Sequence, residues 1–231
     1  MIWAGTDDGN VQVTKNGGET WENMADRIPD LPDGTWCPHI EASHYKAGEA
    51  FAVFDDHRRS NWETYVYHTE DYGKHWKPLT GNSPFPEEME NREWGFAHII
   101  RQDPVMPGLL FLGTEFGLFV SFDKGDTWMK WKAGFPTVPV IQKHYNDLVI
   151  GTHGRSAYII DNIVPLREIS EKITKKKVHL FSVPDAYQHE TAQLEGYHFP
   201  ADTYFQGENK PYGAMLTYYV HPEEASEDKN T

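Results

Sequence analysis

Carboxylate, imidazole and guanidinium side chains recur at one kind of position in this sequence, directly after short apolar runs. Runs of β-branched and aromatic residues bounded by Gly and Asp predict β-strands. Four such runs, at 2–6, 50–54, 109–114 and 148–152, are followed by Asp7 and Asp8; by Asp55, Asp56, His57 and Arg58; by Glu115; and by His153 and Arg155. If the four strands are equivalent, these polar residues gather around one opening, as a site for a polar ligand requires.

Two of the carboxyl groups have the chemistry of a glycoside-cleaving pair. Such a pair is about 5 Å apart in retaining enzymes and roughly 6.5–9.5 Å apart in inverting ones. Asp56 and Glu115 follow neighbouring strands and are therefore the candidate catalytic pair. The candidate ligand contacts are Asp55, His57, Arg58, His153 and Arg155. The alternative is that all of these are solvated turn residues that cap loops.

Two tryptophans stand near the same opening. Trp36 lies three residues before His39 and Trp94 four before His98, each close to the start of a further strand-like run. An exposed indole at such an opening suits stacking on a sugar ring, because it offers a large apolar face and a polar N–H. Packing over the rim of the opening is the other interpretation.

The elements that must position these residues are marked by a repeated turn. The pattern hydroxyl–x–Asp/Asn–x–Gly–x–x–Trp occurs three times, at 14–21, 69–76 and 121–128, and its tryptophans are 55 and 52 residues apart. Asp or Asn accepts hydrogen bonds from backbone amides, Gly takes a positive φ, and the Trp buries an apolar ring. We expect structural roles for Asn16, Gly18, Trp21, Asp71, Gly73, Trp76, Asp123, Gly125 and Trp128, with the tryptophans packed between neighbouring units.

Alignment on this turn predicts four strands per unit, named A to D outward from a central axis. A strands are expected at 39–43, 98–102 and 138–143, B strands at 2–6, 50–55, 109–114 and 148–152, C strands at 10–14, 64–69, 117–121 and 156–161, and a D strand from each turn Trp. A period of about 50 residues with four strands is typical of a propeller blade. The B–C and D–A connections then emerge on one face, here called the B–C/D–A face, and the repeated C–D turn lies at the outer rim.

The predicted fold is therefore all-β: a partial β-propeller of about 3.5 four-stranded blades, followed by a linker and the start of a β-sandwich-like domain. The domains are expected at 1–163, at 164–210 with a short helix and strand, and at 211–231, where one strand precedes a disordered acidic tail. Propellers generally close with four to eight blades. We accordingly expect a longer chain, with the remainder of the propeller as a partner.

Composition excludes several classes of protein. Lys+Arg 21 against Asp+Glu 35 gives a net charge of −14, which opposes binding to nucleic acid or to an anionic membrane surface. No apolar run is long enough to cross a bilayer, so membrane insertion is not expected. The single cysteine, Cys37, allows no internal disulfide. The 12 histidines show neither HExxH nor a Cys/His zinc spacing, so neither a metal site nor a cofactor is predicted.

The three turns resemble the Asp-box, also called the bacterial neuraminidase repeat. Together with 113–128 and the segment Gly151-Thr-His-Gly-Arg-Ser156, they look like the last blades of large secreted bacterial proteins with sortilin-type propellers, often labelled glycosyl hydrolases. The resemblance covers about residues 2–165. Asn16 and His75 depart from the usual Asp and Thr or Ser, and both are interpreted as structural variants.

The resemblance implies a secreted, periplasmic or cell-surface module, although the chain shows no signal peptide. Because the repeat occurs in sialidases, xyloglucanases and sortilin receptors, it implies a fold and not one activity. The first hypothesis is a non-catalytic module that binds a glycan or a protein ligand on the B–C/D–A face. A glycoside hydrolase with Asp56 and Glu115 is the second, and a sortilin-like peptide-binding propeller is the third.

Overall fold

The computed structural model describes residues 1–80, 94–132, 146–152, 157–186 and 213–222. The chain divides into two compact units, Met1–Ile163 and Val164–Thr231. None of the described helices is long and apolar enough to cross a membrane.

The first unit is a partial β-propeller built from consecutive antiparallel sheets. The first sheet contains β1 (Ile2–Gly5), β2 (Val11–Thr14) and β3 (Glu22–Asn23). The second contains β4 (Trp36–Ala42), β5 (Ala50–Asp55), β6 (Tyr65–Thr69) and β7 (Lys77–Pro78). The third contains β8 (Ala97–Gln102), β9 (Leu110–Thr114), β10 (Gly117–Ser121) and β11 (Met129–Lys130), and the fourth contains β12 (Leu148–Gly151) and β13 (Ala157–Ile160).

The second and third sheets have the strand order expected of a blade, A-B-C-D, with each strand paired to the next along the chain. Strand bounds agree with the sequence prediction to within one residue at most ends. The A strands begin earlier, at Trp36 and Ala97, and each D strand starts one residue after its Trp. The predicted A strand at 138–143 lies outside the described residues.

The middle strands form the core, and neighbouring blades cover both faces of β5. Every residue of β5, β9 and β10 is buried. One apolar cluster joins the second blade to the third and contains Phe51, Leu79, Leu112 and Trp128. A second cluster joins the first blade to the second. A continuous apolar run, without polar alternation, is what such a doubly covered strand requires.

The repeated turn is held by the same hydrogen bonds in all three copies. In the third, Ser121 Oγ donates to Asp123 Oδ1 (2.8 Å) and accepts from the amide of Gly125 (2.7 Å), while Asp123 accepts from the amide and hydroxyl of Thr127 at 2.8 and 2.6 Å. The same positions are bonded in the other two copies, Thr14, Asn16, Gly18 and Thr20, and Thr69, Asp71, Gly73 and His75. One bond of the first copy runs in the opposite direction, since Asn16 Nδ2 donates to Thr20 Oγ1. The short polar side chains therefore replace backbone pairing within the turn.

His75 fills the hydroxyl position of the second turn without changing its bonding. Burial acts to raise the pKa of Asp71, but hydrogen bonds from the side chain and backbone of His75 and from Thr69 outweigh it and lower that pKa to about 2. The imidazole thus donates to the carboxylate where Thr127 Oγ1 does so in the third copy.

The backbone of each turn has two consecutive residues at positive φ, where the sequence pattern indicated only the glycine. Tyr72 and Gly73 have φ of 65° and 79°, and Lys124 and Gly125 have 61° and 89°. In the first copy both positions are glycine. A non-glycine residue at positive φ is uncommon, and here the turn's side-chain hydrogen bonds hold it in place.

This backbone brings the glycines of the second and third turns against the preceding blade. A Cβ on Gly73 would lie 2.8 Å from Met24 Cγ, and one on Gly125 would lie 2.7 Å from Leu79 Cδ1. Trp128 Nε1 also donates to the carbonyl of Leu79 at 3.2 Å. The outer turn of one blade is thereby packed on the D-strand end of the blade before it.

The turn tryptophans do not all have the same surroundings. Trp128 and Trp76 are buried, and Trp76 meets Trp3 edge-on with ring centroids 6.0 Å apart. Trp21 was expected to pack in the same way but is 42% exposed. No described residue outside the turn approaches the equivalent glycine, Gly18, so the first turn has no described blade to pack against.

Charged side chains cross the joint between the second and third blades on its inner side. Arg101 donates to Glu41 Oε2 at 2.6 Å, and the amide of Gln102 donates to the other oxygen of Glu41 at 3.3 Å. His39 Nε2 lies 4.0 Å from Glu41 Oε2. Burial, and then the positive charge of Arg101, lower the pKa of His39 to about 4, so the imidazole is neutral near pH 7.

The second unit is small in its described part. It contains α1 (Val164–Glu168), α2 (Glu171–Thr174), β14 (Val178–Leu180) and β15 (Tyr218–Val220), and the two strands pair antiparallel. The sequence predicted a strand over 178–183 and another over 212–220, and both are shorter. Tyr219 Oη donates to the carbonyl of Thr174 at 3.0 Å, which ties β15 to the end of α2.

Replacement of Gly125 by alanine tests the packing of outer turns on the preceding blade. We expect Gly125→Ala to lower the free energy of unfolding by about 1–3 kcal/mol more than Gly18→Ala, because the new Cβ would overlap Leu79 Cδ1 at 2.7 Å, whereas a Cβ on Gly18 would have only Trp21 Nε1 nearby, at 3.9 Å. Both residues have positive φ at the same turn position, so backbone strain is matched. Urea unfolding measures the difference, and equal losses for the two variants would contradict the packing role.

The buried His39 predicts a loss of stability on acidification. Its folded-state pKa lies below the ordinary value of 6.5, so its contribution is complete above pH 6.5 and is lost as the pH falls toward about 4. A shift of this size corresponds to about 3 kcal/mol. We expect the unfolding free energy of His39→Gln to fall less than that of the wild type between pH 6.5 and 4. Parallel pH profiles for the two proteins would show that His39 does not contribute.

Candidate functional site

The longest described B–C loop, between β5 and β6, is organised by a buried carboxylate at the end of β5. Asp55 Oδ1 accepts from the amide of His57 at 2.9 Å, and Asp55 Oδ1 and Oδ2 lie 2.6 and 2.8 Å from His57 Nδ1. His57 opens a short 3₁₀ turn, His57–Arg59, which ends at Ser60 with φ of 62°. Because a carboxylate only accepts hydrogen bonds, Nδ1 carries the ring proton and the neutral imidazole keeps Nε2 as an acceptor.

A second imidazole–carboxylate pair comes from the third blade. His98 on β8 lies with Nε2 3.1 Å from Oε2 of Glu115, and Glu115 occupies the tight turn between β9 and β10. The same rule places the proton of neutral His98 on Nε2, opposite to His57. The two pairs therefore fix two different tautomers on one face of the propeller.

Phe96 lies between the two histidines. His57 stacks on its ring with centroids 4.4 Å apart, and His98 meets it edge-on at 4.7 Å. Trp62, in the same loop as His57, tilts against Phe96 at 5.7 Å and is 52% exposed. Since Phe96 itself is buried, it is a floor on which the exposed indole rests.

The close approach of the two loops depends on a glycine. Gly95 has φ of 67°, and a Cβ there would lie 2.8 Å from Glu115 Cβ and 3.0 Å from a ring carbon of Phe116. The amide of Glu115 donates to the carbonyl of Phe96 at 3.1 Å. Phe116, 37% exposed, thus packs over Gly95, the residue next to Phe96.

Asp56, one of the two predicted catalytic carboxylates, is engaged on both oxygens. Oδ1 accepts from Arg59 Nε and Oδ2 accepts from Asn61 Nδ2 at 2.9 Å. Arg59 also donates to Thr35 Oγ1 at 2.9 Å and to the carbonyl of Asp33 at 2.7 Å. Asp56 therefore ties its own loop to the D–A loop before β4, as expected of a loop-capping residue.

The two predicted aromatic platforms have different positions. Trp36 is partly exposed, and the guanidinium of Arg58 lies over its ring, 4.6 Å from the centroid. Trp94 is 1% exposed and stacks on Phe119 at 3.8 Å. The expectation that Trp94 offers a sugar platform is corrected, because the core of the third blade covers its ring.

The remaining predicted residues lie at the edge of the face or outside the described part. Asp8 accepts hydrogen bonds from Thr6 Oγ1 and Asn10 Nδ2, which lower the pKa of its carboxyl. Asp7, its neighbour, is exposed. His153 and Arg155 lie outside the described residues.

Away from this face, Glu49, His68 and Glu70 bring three possible metal ligands within 4.8 Å of one another. A cation is already present there, because Lys124 Nζ contacts Glu49 Oε1 at 2.8 Å and Glu70 Oε1 at 3.5 Å. Burial acts to raise the pKa of Glu49, but hydrogen bonds from Lys124, Ser43 and His68 outweigh it and lower that pKa. The cluster is an ion-paired network across the joint between the second and third blades.

Sequence reasoning missed four residues that build this face, the exposed Trp62 and Phe116 and the Phe96 and His98 that support them. Trp62 carried a signal, since an indole in the polar stretch Ser60-Asn61-Trp62-Glu63 has no strand to bury it. Phe96 and His98 read as part of an ordinary strand entry. Their role follows only from the contact of the third blade with the loop of the second.

The arrangement is suited to binding. It offers an exposed indole and an exposed phenyl ring on a buried aromatic floor, with an imidazole acceptor and a carboxylate beside them. Aromatic rings give large contact area at little conformational cost, and polar groups at their margin fix orientation.

Comparison with solved structures finds the same fold in two GH74 enzymes. The GH74 enzyme of Niastella koreensis has a TM-score of 0.52 at 17% identity, covering 69% of this chain and 26% of that one. An ancestral GH74 enzyme has a TM-score of 0.50 at 14% identity, and the match covers 65% of this chain and 20% of that one. YCF48 bound to D1 peptide has a TM-score of 0.47 at 16% identity, and the match covers 69% of this chain and 47% of that one.

The likeness to the two GH74 enzymes concerns the fold alone, because both identities are low. The chain spans between a fifth and about half of the length of these structures. No protein-family model and no curated protein matches the sequence. The activities of the GH74 enzymes and the peptide bound by YCF48 belong to those proteins.

The opposite tautomers of His57 and His98 can be measured directly. In ring-nitrogen NMR spectra above the titration range of both residues, we expect neutral His57 to be protonated on Nδ1 and neutral His98 on Nε2. Asp55→Ala should abolish the tautomer preference of His57 and leave that of His98 unchanged. Glu115→Ala should abolish the tautomer preference of His98 and leave that of His57 unchanged. The same tautomer at both residues would contradict the two pairings.

Proposed function

We propose that this partial propeller is a ligand-binding module, non-catalytic as it stands, whose B–C/D–A face takes a glycan or a protein ligand. The observation that carries the proposal is the position of Trp62, half exposed and supported from beneath by Phe96 and His57. Large aromatic side chains held in one orientation are the residues that most often dominate binding energy.

The site is supported on both sides of a blade joint. Thr64 Oγ1 of the second blade donates to the carbonyl of Gly95 at 2.6 Å, and His57 stacks on Phe96. Because the loops are tied to one another, little conformational entropy is lost when a ligand binds them. A preorganised surface of this kind supports a binding role.

We further propose that the repeated turn is an Asp-box and that the module is secreted, periplasmic or displayed at the cell surface, as in sortilin-type propellers. The support is the hydrogen-bond set shared by the three turns and the sequence resemblance. Residues Asn16, Asp71 and Asp123 act in this proposal only within their turns, away from the ligand.

The alternative is a glycoside hydrolase with Asp56 and Glu115 as its carboxylates. Glu115 favours it, because its side chain is 36% exposed on the same face as Trp62 and has one oxygen paired with His98. Asp56 opposes it, since both of its oxygens accept hydrogen bonds from neighbouring loop residues. Peptide capture inside the channel, the sortilin-like alternative, would use the inner strands that carry Glu41 and Arg101.

The proposal predicts that Trp62 is the main contact. Against a panel of neutral oligosaccharides and synthetic peptides, we expect Trp62→Ala to weaken binding of the retained ligand at least about tenfold, or about 1.4 kcal/mol. Trp21→Ala is the matched control, because Trp21 is similarly exposed but lies at the outer rim. Isothermal titration calorimetry gives both affinities.

Two outcomes would contradict the proposal. Equal affinities of the Trp62→Ala and Trp21→Ala proteins for the ligand would show that the ligand does not bind at the B–C/D–A face. Release of reducing sugar, abolished by Asp56→Asn or Glu115→Gln, would replace a non-catalytic module with the hydrolase.

A further inference from the structure

We propose that the ligand of this face is a basic peptide segment, anchored by a Lys or Arg side chain held over Trp62 and Phe116 with Glu115 and Glu63 at the margin. The inference rests on the binding function proposed above and narrows the class of ligand. Two independent features of the face carry it: the exposed aromatic rings and the sign of the charge around them.

The aromatic feature is a pair of exposed rings from two blades, supported by two adjacent residues. Trp62 is 52% exposed and lies against the buried ring of Phe96, and Phe116 is 37% exposed and packs over Gly95. An aromatic face attracts a cation through its ring quadrupole, most strongly for indole. This attraction is about 0.5–1 kcal/mol at exposed sites and about 2 kcal/mol when the cation loses water.

The charge feature favours a cation over a neutral ligand. The three described B–C connections, with the last residue of β5, carry six carboxylates and two arginines. The carboxylates are Asp7, Asp8, Asp55, Asp56, Glu63 and Glu115. The whole chain has a net charge of −14, so the long-range field has the same sign as the local one and steers a basic ligand toward the face.

The two arginines of the described B–C connections are already engaged with this protein's own groups. Arg59 donates to Asp56, to Thr35 and to the carbonyl of Asp33. Arg58 lies over Trp36, 4.6 Å from its ring centroid. The pairing of Arg58 with Trp36 is the same contact that we propose for the ligand at Trp62.

Glu63 and Glu115 are the carboxylates placed to meet the ligand cation. Glu63 directly follows Trp62 and is exposed. Glu115 directly precedes Phe116, and one of its oxygens is paired with His98, whose side chain is mostly buried. Each of the two exposed aromatic residues, Trp62 and Phe116, is thus next in the sequence to a glutamate. An acidic ligand would meet repulsion at both, and a neutral sugar would gain stacking alone.

The experiment uses the whole chain and three labelled probes of similar length. They are a Gly/Ser peptide with interspersed Lys and Arg, the same peptide with Glu at those positions, and a neutral oligosaccharide. We expect the basic peptide to bind and the acidic one not to bind. Raising the salt from about 50 to about 300 mM should weaken the basic peptide about tenfold, because exposed charge pairs are screened. Fluorescence anisotropy measures all three.

Three variants locate the site. Trp62→Ala should weaken the basic peptide at least about tenfold, and Glu63→Gln about two- to fivefold with a shallower salt dependence. Glu19→Gln is the matched control, since Glu19 is an exposed carboxylate in the first outer turn, and it should change neither affinity nor salt dependence. Circular dichroism checks that each variant is folded.

The outcomes separate this inference from the binding function on which it rests. Binding of the neutral oligosaccharide through Trp62, without salt dependence, would overturn the basic-peptide proposal and leave the binding module intact. If the basic peptide binds but neither Trp62→Ala nor Glu63→Gln weakens it, the peptide is attracted to another part of the protein. That result would also overturn the basic-peptide proposal. No dependence of any probe on Trp62 would overturn both.

Discussion

The contact of the second and third outer turns with the D-strand end of the preceding blade is the constraint on which the rest of this propeller depends. Two successive residues at positive φ, such as Lys124 and Gly125, fold the chain back so that the turn faces sideways. The absence of a Cβ then lets Gly125 meet the side chain of Leu79, and the indole of Trp128 donates to the carbonyl of the same residue. Close packing of this kind fixes the position of each blade relative to the blade before it.

Charged groups reinforce the same joint where apolar packing ends. Lys124 crosses to the buried Glu49 of the second blade, and Arg101 crosses to Glu41 near the axis. Buried pairs of this kind contribute little net stability, but leaving one partner alone is costly. We interpret them as groups that select one register between blades, because a shifted joint would leave Glu49 or Glu41 buried without its cation.

The candidate site is a direct consequence of that register. His57 belongs to the second blade and Phe96 to the third, and they stack only because the two blades are fixed against one another. Trp62 rests on the same ring. The exposed aromatic surface is therefore shared by two blades, so the fold, and no single loop, holds the proposed ligand contacts in place.

The sequence by itself determined the blades. A local pattern predicted them because the hydroxyl, the Asp or Asn and the Gly of each turn bond to one another within five residues, as Ser121, Asp123 and Gly125 do. Strand bounds followed from apolar runs that a doubly covered sheet needs, as in β5 and β9.

Only the tertiary structure decided which side chains face a ligand. Trp94 and Trp62 are both indoles near a loop, yet one is covered by Phe119 and the other is half exposed. The carboxylate of Asp56 is occupied by Arg59 and Asn61, which its position after β5 did not reveal. Phe119 covers Trp94 through the folding of the third blade, Arg59 and Asn61 reach Asp56 through the fold of their loop, and Phe96 reaches Trp62 across a blade joint. None of these contacts is encoded in the spacing of the repeats.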